Sequence, residues 1–144
     1  MFVRLSCDIA RAALRFVPED DDRPRRTIDV VERWLAGDGI DHVYAVRHAK
    51  TESWPGHTPA IAHALSTAWH AADAVDRADP SQSAIYAAKD YADAAYNAAS
   101  VDPDPDAYYD DDDYDAAAAN ARAVAHASRQ QAQRDVCDII RRYL

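Results

Sequence analysis

His63, His70 and Asp73 stand at i, i+7 and i+10, a spacing that lines them along one face of a helix. Two imidazoles and a carboxylate so placed can ligate a divalent metal when another helix adds donors, for which His48 and His126 are the candidates. The chain lacks the paired Glu-x-x-His pattern of di-iron bundles and any His-Glu-x-x-His. Its 6 histidines, set among alanines, read first as hydrogen-bonded packing residues, so no metal and no other cofactor is expected. No serine or cysteine sits in a strand–turn–helix context, and no glycine loop could cradle phosphate. The chain does not read as an enzyme. A metal-dependent helical-bundle enzyme using His63, His70 and Asp73 is the alternative.

A second kind of chemistry lies in Asp102 to Asp115, which reads DPDPDAYYDDDDYD and holds eight acids and no base. Taking those eight from the 25 acids of the chain leaves 17 against 16 bases, so a nearly neutral body carries a concentrated negative segment. Such a field steers cationic partners and repels nucleic acid. Tyr108, Tyr109 and Tyr114 stand among the acids, and phenol rings beside charge are common anchors of protein interfaces. Tyr108, Tyr109, Asp110, Asp111, Asp112, Asp113 and Tyr114 are therefore the expected partner-binding residues. The glycine and closing glutamate of a calcium-binding EF-hand loop are missing.

The elements that must position these residues are helices. Only 3 glycines occur in 144 residues, and much of the 49% apolar content is alanine. The expectation is an all-α, alanine-rich compact bundle of about six helices, one domain over residues 1–144. Phe2, Leu5, Ile9, Ala12, Ala13 and Phe16 recur at helical spacing until Pro18. Asp21 and Asp22 precede Arg23 and Pro24 as a helix start, and Ile28, Val31, Trp34 and Leu35 form the next apolar face before Gly37. A shorter third helix is expected over Asp41–Thr51. Thr58 and Pro59 open a helix with the stripe Ile61, Leu65, Ala68, Trp69, Ala72 and Val75. Asp79 and Pro80 open another with Ile85, Ala88, Ala92, Ala95 and Ala99 facing inward. The acidic stretch 102–115 reads as a solvated loop, and a last helix runs from about Tyr114 to Arg142. Cys7 and Cys137 fall inside helical patterns and are expected as buried thiols. No run approaches the roughly 20 apolar residues that span a bilayer, and the start lacks a signal core, so a cytoplasmic protein is expected.

The segment Asp20-Asp21-Asp22-Arg23-Pro24-Arg25-Arg26, following a cysteine-bearing helix, resembles the signature of an all-helical immunity-protein family of bacterial polymorphic toxin systems. Trp34-Leu35-Ala36-Gly37, His63-Ala64-Leu65, Tyr86-Ala87-Ala88-Lys89 and the polar end Ser128 to Leu144 are similar to further parts of that pattern. The resemblance implies a cytoplasmic binding protein that neutralises a toxin by protein–protein contact. A nuclease-like toxin carries a basic cleft, to which an acidic segment is complementary. Without the family, Asp21 or Asp22 can cap the second helix, while Arg23 and Arg25 can pair with carboxylates of neighbouring helices. An acidic nucleic-acid mimic of the phage anti-defence kind is the other reading, disfavoured by the clustering of acids in one segment. A protein partner and possible self-association are expected, with no membrane contact and no direct nucleic-acid binding.

Overall fold

The computed structural model describes residues 1–38, 58–100 and 111–144, with residues 111 and 112 described by their backbone alone. Among them are five α-helices: α1 Phe2–Ala13, α2 Arg23–Leu35, α3 Pro59–Asp76, α4 Pro80–Ala99 and α5 Asp111–Arg141. A single 3-10 turn, Leu14–Phe16, extends α1. The helices pack together as the expected all-α bundle, and no described helix is long and apolar enough to cross a membrane. The helix expected over Asp41–Thr51 lies outside the described residues.

The ends are set by local chemistry. The Thr58 hydroxyl accepts from the Ile61 amide, and Asp79 accepts from the Ser81 amide at 3.0 Å, each just ahead of a proline in the first turn. At the second helix the expected capping contact falls to Asp21 and not to Asp22. Asp22 occupies its N-cap position but makes no side-chain cap hydrogen bond. Asp21 instead accepts from the Arg23 backbone amide at 3.2 Å and from Arg23 Nε and Nη2 at 2.8 and 2.6 Å. Arg23 folds back on its own turn and forks onto the Asp21 carboxylate two residues away. Pro24 is fully buried, and Arg25 is exposed. At the other end Gly37 takes φ +86°, with Gly37 N–H on Trp34 O at 3.0 Å and Asp38 N–H on Arg33 O at 3.3 Å. This pairing needs a left-handed residue, which glycine supplies without a Cβ clash.

The first helix is a wall between two cores. Its Leu5, Ile9 and Ala13 meet Ala87, Tyr91 and Ala94 of α4 and Ala132, Val136 and Ile139 of α5. Its Val3, Cys7 and Ala10 meet Ile28 and Val31 of α2 and Ala68, Ala71 and Ala72 of α3. A buried alanine contributes only about one methylene's worth, ~0.8 kcal/mol, against about 1.5–3 for leucine. Cohesion therefore rests on many small contacts and on backbones that approach closely. Three of the buried hydroxyls are satisfied within their own helices: Ser6 donates to Phe2 O, Thr27 to Arg23 O and Thr67 to Ala64 O.

One apolar stripe is shifted in part from expectation. In α4 the buried face is Ala84, Ala87, Tyr91, Ala92, Ala94 and Ala95, so the expected Ala92 and Ala95 face inward while Ile85 stands 66% exposed. In α5 Ala118, Ala125, Ala132 and Ile139 recur every seventh residue, with Val136 beside them. That narrow seam leaves Cys137 at the surface while Cys7 is buried; both are free thiols. The last helix also starts at Asp111, three residues earlier than expected, so Asp111 to Asp115 belong to its first turns and not to a loop. Acids suit that position because the unpaired amides of a helix start carry positive partial charge.

Candidate functional site

The alanine faces of α3 and α4 bring two rows of polar side chains together at one edge of the bundle. From α3 come His63, Ser66 and His70; from α4 come Tyr86, Lys89, Asp90 and Asp93. The two helices run antiparallel across the short turn at Arg77 to Asp79. Asp90 sits between both histidines, with His63 Nδ1 at 3.1 Å from Oδ1 and His70 Nε2 at 3.2 Å from Oδ2. Burial alone would raise its pKa; hydrogen bonds from His70, Ser66 and His63 outweigh that and hold the carboxyl below the usual range. Asp93, one turn on, pairs with Lys89 Nζ and with Arg129 Nη2 of α5, each at 2.8 Å. Tyr86 stacks on the His70 ring at 5.4 Å and Trp69 meets its edge at 5.0 Å. His70 Nδ1 is buried with no hydrogen-bond partner among the described residues. A bare nitrogen lone pair is less costly than a bare N–H, which assigns the proton to Nε2, donating to Asp90.

Asp73 does not join the histidines. It is buried at the turn, where it accepts from Arg77 and, at 3.1 Å, from the Ser83 hydroxyl. The three-residue step from His70 swings it about 60° around the helix, toward the start of α4 and away from Asp90. Its work is to fasten the α3–α4 turn. Asp73→Ala is expected to cost about 1–3 kcal/mol in urea unfolding, because the fully buried Ser83 hydroxyl loses its acceptor. Of the other expected donors, His126 lies on α5 against Tyr96 at 5.2 Å, and His48 is outside the described residues. The residues missed in sequence are Asp90 and Asp93; antiparallel pairing about Ala78 was the signal, since His70 and Tyr86, Asp73 and Ser83, and Ser66 and Asp90 are equidistant from it.

Of the expected partner-binding residues, Tyr108, Tyr109 and Asp110 lie outside the described residues, and Asp111 and Asp112 open α5. Asp113 and Asp115 are exposed in its first turns with Tyr114 half-buried between them. Tyr86, Tyr91 and Tyr96 diverge: Tyr91 is buried, Tyr86 is 47% exposed, and Tyr96 covers His126. A cleft of about 370 Å³ lined by Arg4, Cys7, Asp8, Glu32, Leu35 and Tyr143 opens on the far side of α1. No family model, curated protein or solved structure matches the chain.

Proposed function

We propose that this chain is a binding protein of the immunity type, acting in the cytoplasm by covering a basic surface of a toxin with its acidic segment. The observation that supports this most is that α5 already runs through Asp111, Asp112, Asp113 and Asp115. A helix start that is already formed presents Asp113, Tyr114 and Asp115, which lowers the backbone ordering that association requires. The chain's excess negative charge is concentrated in and just before that helix start. Charge so placed accelerates encounter more than it strengthens the final complex.

The test replaces Asp110, Asp111, Asp112 and Asp113 together by asparagine and measures association with a toxin encoded beside this gene. The substituted protein is expected to associate on the order of tenfold more slowly and to show a flatter dependence between about 50 and about 200 mM salt. An unchanged association rate and salt slope would remove the acidic segment from recognition.

A further inference from the structure

We propose that His63, Asp90 and Asp93 form a binding site for one divalent first-row transition metal ion, zinc by preference, with His70 orienting the Asp90 carboxylate. The inference is independent of the toxin reading. One donor atom from each of the three side chains lies within 4.8 Å of the others, and all three residues are half-buried. His63 Nδ1 and Asp90 Oδ1, at 3.1 Å, already stand at nearly the separation of two ligands on one ion, about 3.3 Å for bonds of about 2.0–2.2 Å. Asp93 offers its donor within 4.8 Å of both, and it must rotate toward them to complete the set.

The supporting contacts are those a metal carboxylate needs. His70 Nε2 holds Asp90 by Oδ2, leaving Oδ1 toward His63, and the Ser66 hydroxyl adds a further hydrogen bond to the carboxylate. The ligands come from two helices locked by alanine packing, and this keeps the geometry without metal present. Lys89 and Arg129 both engage Asp93, yet a carboxylate offers about four lone-pair positions, and Lys89 is 62% exposed and free to swing aside. The donor set decides the ion. One imidazole with two carboxylates suits a borderline divalent ion such as zinc, cobalt or iron(II) better than calcium or magnesium, which take oxygen ligands, and it holds no thiolate for copper(I). Three protein ligands leave a position open to water, and His63, 35% exposed on its side chain, marks the side from which the ion arrives.

The experiment titrates tag-free, metal-stripped full-length chain with Zn²⁺ by calorimetry and with Co²⁺ by visible absorption, near neutral pH. The expected result is one ion per chain, with cobalt bands of a low-coordinate site. His63→Gln and Asp93→Asn are expected to weaken binding at least about 100-fold, and His70→Gln about 10- to 100-fold with the stoichiometry kept. His126→Gln is expected to change nothing, and circular dichroism of each variant reports whether the helices persist. Failure of the wild-type chain to bind either ion stoichiometrically overturns the site without any variant. So does binding that survives His63→Gln in a folded protein.

Discussion

Tyr91→Ala is expected to lower the free energy of unfolding by about 3–5 kcal/mol. Tyr91 is the largest fully buried side chain among the described residues and joins three elements. Its ring lies 6.0 Å from that of Phe16, Arg15 covers it at 5.1 Å, and its hydroxyl donates to Asp135 of α5 at 2.9 Å. Its neighbours along α4 are Ala87, Ala92, Ala94 and Ala95, which have no rotamers with which to fill a hole. Leu5, Ile9, Val136 and Ile139 from the other elements can refill only part of the cavity, which places the loss within that range. Small domains hold only about 5–15 kcal/mol in all, so this one ring carries a third or more of a typical margin. Tyr91→Phe is expected to lose only about 1 kcal/mol, since Asp135 keeps Gln131 at 2.8 Å and Arg15 at 3.4 Å. Urea midpoints at constant slope measure both. An alanine variant within about 1 kcal/mol of wild type would contradict the packing described for this core.

One thiol per chain is expected to react quickly with a disulfide reagent, and the other only when the protein opens. Cys137 is exposed, and Cys7 is 1% exposed. Burial first, then the charges of Glu32 and Asp8, push the Cys7 thiol up to about 12. Near pH 8 this cuts its thiolate fraction on the order of 10³-fold relative to an ordinary thiol at about 8.5. The sign for stability follows from the same shift. The folded state prefers the neutral thiol, so its contribution is complete below about pH 8.5 and is lost as pH rises from there toward about 12. Burial and a carboxylate partner also push Tyr91 and Tyr143 up to about 12, which steepens the same alkaline limb. Cys7→Ala is expected to retain the fast thiol, abolish the slow one and begin its alkaline unfolding at higher pH. Two native thiols labelled at equal rates would refute the assignment.

The metal candidates show how far a single chain can be read. His63 and His70 were visible because i, i+7 is a property of any helix. Asp73 lies against Ser83 at the α3–α4 turn and Asp90 against both histidines, because a three-residue step turns a side chain about 60° around its helix while the partner across the pair is set by how the helices align. The acidic start of α5 was misjudged by three residues in the other sense. A run of aspartates reads as solvated loop by composition, but at a helix start it also neutralises free amides, and the alanines that follow favour extending the helix backward.

Amino-acid order alone settled where most helices begin and end, since Thr58, Asp79, Pro59, Pro80 and Gly37 act through atoms a few residues away. It also settled that the chain is helical and that its negative charge is gathered in one place. Tertiary packing decided which face of each alanine-rich helix turns inward. An alanine is nearly as content in water as in a core, so Ile85 could be left outside while Ala84, Ala87 and Ala94 were buried around Tyr91. The same packing chose Asp90 for the two histidines, because a contact between helices depends on their pairing and is written in neither helix by itself.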